Sequence, residues 1–216
     1  MKTKSGKLCI LNKYFYIAAA IFINSVSFDF LSAADLERAS GDVDLVLYGG
    51  KYTDTNFSQI ILHGKTNYKE SYIAAGALNY RLEPRIRSIF FESEGQIVKH
   101  AGVMNHHELN GVLIARYHFS FMPASFAFGE GLSIASKTPE LENRLKDIMA
   151  LRFEDRERSK PVLNYFLFEL DFSLPVVMHD PRIFIRLHHR SGVFGTYCSK
   201  TCGSNFITYG IKIGTD

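Results

Sequence analysis

Three polar residues near the C-terminus have the types and spacing for hydrolytic chemistry. The stretch Arg186-Leu187-His188-His189-Arg190-Ser191-Gly192 places a histidine two residues before a serine, and Asn205 follows fourteen residues after that serine in Gly203-Ser204-Asn205-Phe206-Ile207. A serine hydroxyl is a weak nucleophile until a base takes its proton, and an imidazole is the usual base. On a β-strand, residues i and i+2 share a face, so His189 and Ser191 would stand side by side if this stretch is extended. Asn205 would accept a hydrogen bond from the imidazole and orient it, but it lacks the negative charge with which a carboxylate stabilises an imidazolium. On spacing alone the same residues also fit an ordinary His and Ser at a membrane interface.

Such a site needs strands, and the surrounding sequence supplies them. Arg182–Ser191 alternates Ile183, Ile185 and Leu187 with Arg182, Phe184, Arg186, His188 and Arg190. In Val162–Leu174, Phe166, Phe168, Leu170 and Phe172 alternate with Tyr165, Glu169 and Asp171. In Leu109–Phe121, Leu113, Ala115, Tyr117 and Phe119 alternate with Arg116, His118 and Ser120. This period of two is the signature of a sheet with one apolar and one polar face. Eight strands are predicted: Asp42–Gly50, Ser71–Arg81, Arg85–Glu94, Leu109–Phe121, Ser125–Ser136, Val162–Leu174, Arg182–Ser191 and Ser204–Ile213.

The connections alternate in length. Leu82–Pro84, Met122–Ala124 and Pro175–Pro181 are short, whereas Lys51–Glu70, Gly95–Glu108, Lys137–Pro161 and Gly192–Gly203 are long. Outer-membrane barrels have short periplasmic turns and longer extracellular loops. The expectation is therefore an all-β fold, an eight-stranded antiparallel transmembrane β-barrel. Both termini would lie in the periplasm, the apolar rows would face lipid and the charged rows the lumen. Glu169 and Asp171 would pair with Arg186 and Arg190 inside, and Tyr165, Phe121 and Tyr209 would suit the interfacial aromatic girdles. Pro139–Arg158, with Leu141, Leu145, Ile148 and Met149 at helical spacing, predicts a short amphipathic helix in the connection between the fifth and sixth strands. On these assignments His189, Ser191 and Asn205 all fall on lipid-facing rows at the outer ends of adjacent strands.

The rest of the 216-residue chain bounds the context. A net charge of +3, with several lysines near the N-terminus, implies no nucleic-acid partner. Lys2, Lys4, Lys7 and Lys13 precede the apolar run Tyr14–Val26, which is short against the roughly 20 residues of a spanning helix. Ser32, Ala33 and Ala34 then offer a cleavage site. Residues 1–34 thus read as a signal peptide and 35–216 as the barrel. Export makes an oxidising compartment, where Cys198 and Cys202 could form a disulfide, remain free thiols or make half of a metal site. His106, His107 and Glu108 read as a solvated loop cluster, and Glu130, between Gly129 and Gly131, as a residue facing the lumen or a bulge.

The stretches RIFIRLHHRSGVFGTY (182–197) and GSNFITYGIKI (203–213) resemble the C-terminal signature of the lipid A 3-O-deacylase (PagL-like) outer-membrane proteins. The similarity is greater to the acyloxyacyl hydrolase-like branch that carries HHRSG. FAFGEGLSIAS (126–136) and LNYFLFELDFSLP (163–175) also fit that branch. The resemblance runs from about Leu45 to Ile213 and is sharp over the last ninety or so residues. It implies an eight-stranded barrel that hydrolyses an ester-linked acyl chain of lipopolysaccharide, with Ser191 as nucleophile and His189 as base. It also implies outer-membrane lipid and, during biogenesis, the barrel-assembly machinery as partners. Serine ester hydrolysis of this kind requires no cofactor and no metal. The family's acidic third member has no counterpart in the strand after Ser191, where Asn205 stands, and Gly192 replaces the Asn that classical deacylases carry after the serine. The alternative function is a non-enzymatic barrel with a structural or loop-presenting role. Cleavage near Ala33 or Ala34 predicts that Edman sequencing of the mature protein starts there; a mature chain beginning at Met1 would remove the export argument.

Overall fold

The computed structural model describes residues 43–86, 88–142, 159–174, 181–192, 198 and 202–214. The proposed signal peptide and most of the helix expected over Pro139–Arg158 lie outside these residues.

All eight expected strands are present: β1 (Val43–Thr53), β2 (Tyr68–Ile86), β3 (Ile89–Gly102), β4 (His107–His118), β5 (Ala124–Ala135), β6 (Val162–Ser173), β7 (Arg182–Ser191) and β8 (Gly203–Gly214). Each pairs antiparallel with its chain neighbours, and β1 closes on β8 from Asp44↔Gly214 to Thr53↔Asn205. Closure leaves no unpaired edge, the condition for a sheet in hydrocarbon. Among the described residues no helix is long and apolar enough to cross a membrane.

The two faces are inverted relative to a water-soluble barrel. Arg116, Glu169, Asp171, Arg186, His188 and Arg190 are buried inside, while Ile183, Ile185, Leu170, Phe172 and Tyr209 are exposed outside. Glu169 and Arg186 pair as expected, Nε to Oε2 at 2.8 Å, and Arg186 also holds Glu94 at 2.7 Å. Lys212 reaches Glu169 at 2.7 Å, and Arg116 joins Glu92 at 2.6 Å. Asp171 takes Arg116 and Arg182, not Arg190. Arg190 instead meets Glu142 at 2.6 Å. Tyr165 is inside, packed with Val112, Ile114 and Leu167, and so forms no part of an outer girdle; Phe121 and Tyr209 are exposed.

The loop pattern differs from strict alternation. β3 continues to Gly102, so the β3–β4 connection is only residues 103–106. Gln96, Val98 and His100 all point inward there. This polar-in pattern reads as a loop from sequence, because lumen-facing positions need not be apolar. β2 likewise runs through the expected turn at Leu82–Pro84. Its register shifts between Leu82 and Ile86, an irregularity that suits a Pro, which has no N–H to pair. The other connections at the end of the barrel away from Val43 and Gly214, residues 54–67, 136–161 and 192–202, remain long.

Two of these loops are anchored to the barrel. In the β1–β2 connection a helix, α1 (Phe57–His63), follows Asn56 and ends at Gly64. Gly64 adopts the left-handed conformation, φ 62°, and its N–H donates to the Ile60 carbonyl at 2.9 Å, a common glycine stop. In the β5–β6 connection, a 3-10 turn at Glu140–Glu142 inserts Glu142 into the mouth of the lumen. There its carboxylate accepts hydrogen bonds from Arg190, Ser159 and Ser204. Burial pushes the Glu142 carboxyl above the ordinary range, opposed by Arg190 and the two hydroxyls.

Reversing the polarity of either face should be costly. Ile185→Arg should destabilise the barrel, by about 2–4 kcal/mol at mid-bilayer depth and less toward an interface. Arg186→Met should cost about 3–5 kcal/mol, because it strands the Glu94 and Glu169 carboxylates. Urea unfolding in lipid vesicles reads both; a silent Ile185→Arg would contradict the outward assignment.

Candidate functional site

Two of the polar residues singled out at the C-terminus, His189 and Asn205, meet on the outer surface of the sheet, at the end away from Val43 and Gly214, and Ser191 lies in the same outward row two residues beyond His189. Along β7, Ile183 and Ile185 are open, whereas Leu187 is buried and His189 and Ser191 are half-buried. The cover comes partly from α1. Phe57 lies on the His189 ring with centroids 4.9 Å apart and on the Phe168 ring at 5.3 Å. The Phe166 ring also lies near His189, with centroids 6.0 Å apart and an interplanar angle of 21°.

β7 and β8 are hairpin neighbours, and their register sets His189 directly opposite Asn205. His189 Nδ1 lies 2.6 Å from Asn205 Oδ1 and 3.2 Å from the Ser204 carbonyl oxygen. The Asn205 amide donates through Nδ2 to the Thr55 carbonyl at 2.9 Å. That bond fixes the amide orientation, because a peptide carbonyl only accepts. Oδ1 is therefore the atom facing His189, and Nδ1 carries the proton. The Nε2 lone pair is left as the basic position. An orienting group on one nitrogen and a free lone pair on the other is the arrangement a general base requires.

Ser191 stands two residues on, in the same outward row. Its lateral partners are Asn164 on β6 and Gly203 on β8. Gly203 has φ 122°, and a Cβ there would strike the Arg190 carbonyl. The strand beside Ser191 is thus held to a residue with no side chain.

Two members of this surface escaped the sequence reading. Glu130 faces outward, not into the lumen: it sits between Phe128 and Leu132 on the lipid-facing row of β5, with Gly129 and Gly131 on the inward row. Its register partner is Phe166, which in turn pairs with His189. Asn164 donates to Glu130 Oε1 at 3.4 Å, and its own Oδ1 is buried without a partner among the described residues. The signal for both was parity. Glu130 shares a row with Phe126 and Phe128, and Asn164 with Phe166 and Phe168, so each is a polar residue on an apolar row. Only strand pairing could show that they flank Ser191 and His189.

Cys198 and Cys202 are joined in a disulfide, the first of the three states the sequence allowed. It packs with Leu163 and explains Gly192. A Cβ at 192 would lie 2.6 Å from each cysteine Sγ, so the position after Ser191 has no room for a side chain.

No family model matches the chain, and no curated protein matches it in sequence. Among solved structures it is similar to the crystal structure of the outer membrane enzyme PagL, at 12% identity over 79% of this chain and 98% of that one, with a TM-score of 0.52. Neisserial surface protein A (NspA) aligns at 11% identity over 81% of this chain and 97% of that one, with a TM-score of 0.45. What this chain shares with PagL is the fold of a small outer-membrane barrel.

Gly192→Asn should keep the disulfide from forming during folding. Alkylation without reductant, followed by mass spectrometry, should label Cys198 and Cys202 in this variant and neither in the wild type. Equal protection of both cysteines would show that the loop can yield.

Proposed function

We propose that this protein is a serine ester hydrolase of the bacterial outer membrane that removes an ester-linked acyl chain from lipopolysaccharide. The observation that carries the reading is the His189–Asn205 hydrogen bond, which leaves a basic Nε2 on the lipid-facing surface in the row of Ser191. A lipid in the same leaflet meets its enzyme on the outside of the barrel. Polar groups on a lipid-facing row are costly unless they have work to do, and here five of them, Glu130, Asn164, His189, Ser191 and Asn205, fall on adjacent strands. The resemblance of 182–197 and 203–213 to the lipid A deacylase signature supports the substrate class.

In the proposed reaction Ser191 Oγ attacks the ester carbonyl carbon as His189 Nε2 takes its proton. The tetrahedral intermediate collapses with return of that proton to the departing sugar oxygen, leaving acyl-Ser191 and a free hydroxyl. Water, deprotonated by the same nitrogen, releases the fatty acid and restores Ser191. Asn205 holds the imidazole through its neutral amide, which stabilises the imidazolium less than a carboxylate would, so turnover is expected to be slow. Asn164, directly across from Ser191, would position the acyl ester. Residues 1–34 serve as the export signal, and the barrel-assembly machinery would insert the mature chain with its long loops outside.

The test is release of 3-hydroxy fatty acid from purified lipopolysaccharide in detergent, read by mass spectrometry. Ser191→Ala and His189→Ala should each abolish release while the barrel stays folded. Asn205→Ala should slow it, and Asn205→Asp should accelerate it. Equal release by wild type and Ser191→Ala would refute the nucleophile assignment and favour the non-enzymatic barrel.

A further inference from the structure

The lumen holds a second group of side chains that ester hydrolysis leaves unused. His100 near the end of β3, His106 in the β3–β4 connection and Glu108 at the start of β4 are 1%, 2% and 0% exposed. A ligating atom from each lies within 4.8 Å of the others. The His100 and His106 rings stack with centroids 3.9 Å apart and an interplanar angle of 18°. The sequence reading placed His106 and Glu108 in solvent. The continuation of β3 to Gly102 and the tight connection at 103–106 turn both inward, while His107 between them faces out.

The hydrogen bonding of this group is incomplete in a specific way. Glu108 is held from both sides, its Oε2 2.7 Å from His100 Nε2 and its Oε1 3.1 Å from His188 Nε2. The other His188 nitrogen faces the Tyr165 hydroxyl at 3.1 Å. Both ring nitrogens of His106 and Nδ1 of His100, by contrast, are buried with no partner among the described residues. Leaving a buried polar atom unsatisfied costs about 1–3 kcal/mol, and packing that served only to fill the lumen would not favour a stacked imidazole with both nitrogens empty.

We infer that His100, His106 and Glu108 form a binding site for a divalent first-row transition metal, with zinc the best match. Two imidazoles and one carboxylate are a ligand set that suits zinc and leaves a fourth position open. Calcium and magnesium would require an oxygen-rich shell, which this site lacks. Tetrahedral zinc with bonds of about 2.1 Å sets its ligands about 3.4 Å apart, so the ligand atoms, now within 4.8 Å of one another, need to close by little more than an ångström, and the His106 ring must turn out of its stacked orientation to aim a lone pair at the ion. His188, fixed by Tyr165, is placed to orient the Glu108 carboxylate, the usual role of a residue hydrogen-bonded to a metal ligand. The bound ion would tie β3, β4 and their connection together at the mouth of the lumen.

The test uses the mature chain, free of any polyhistidine tag, folded in detergent and stripped with chelator. Titration with zinc chloride by calorimetry should give about one ion per chain. Cobalt substitution should produce the visible absorption bands of a tetrahedral nitrogen–oxygen site. His106→Ala should weaken zinc binding by about tenfold or more, and His107→Ala should leave it unchanged. Glu108→Gln keeps the shape of the carboxylate and provides a second variant should His106→Ala fail to fold, with folding judged by heat-dependent mobility on gels. No zinc retained by the folded wild type, or equal binding by wild type and whichever of these two variants folds, would overturn the assignment.

Discussion

Hydrocarbon offers no hydrogen bonds, and the pairing of β1 with β8 follows from that single constraint. Ten register pairs from Asp44↔Gly214 to Thr53↔Asn205 satisfy what would otherwise be two bare strand edges in lipid. Once the sheet is closed, every strand has one row in lipid and one in a narrow lumen. At eight strands the lumen is just wide enough to be filled by side chains. Arg116, Arg186, Lys212 and the carboxylates of Glu92, Glu94, Glu169 and Asp171 fill it as an interlocked ion network. A buried pair is weak evidence of net stability, since desolvation offsets much of the attraction. Its clearer consequence here is register: a slip of one residue would put these charges into lipid.

The same closure sets where chemistry can happen. Alternation sends the adjacent residues His188 and His189 to opposite faces. His188 joins Glu108 and Tyr165 inside, while His189 meets Asn205 and the rings of Phe57 and Phe166 outside. One dipeptide thus contributes to two separate polar sites divided by the thickness of a sheet. The loops complete both. Thr55, just before α1, fixes the Asn205 amide, and residues 103–106 bring His106 over His100.

Much of this was legible in the sequence because period-two alternation is a local property. All eight strands were recoverable, as was the inversion of faces, since rows such as Ile183–Ile185 and Arg182–Arg186 declare themselves residue by residue. His189, Ser191 and Asn205 could be assigned to one face by counting alone. The limits of β2 and β3 were not legible. A lumen row need not be apolar, so Gln96 and His100 carry no strand signal once the wall is charged. α1 was missed because a short helix is decided by what it docks against, here Phe168 and His189.

What the sequence determined by itself, then, is the fold class and the face of those strand residues whose rows are clearly apolar or charged, because both follow from parity along one strand; Glu130 and the end of β3 were the exceptions. Which residues meet across strands was left to the tertiary structure. Arg190 finds Glu142 and not Asp171 because the β5–β6 connection inserts a carboxylate at the lumen mouth that no strand pattern announces. Gly192 is explained only by the disulfide packed against it. Glu130 and Asn164 come to flank Ser191 and His189, and His106 comes to lie on His100, through contacts set by barrel register and loop closure. These are long-range in sequence, and local periodicity contains no information about them.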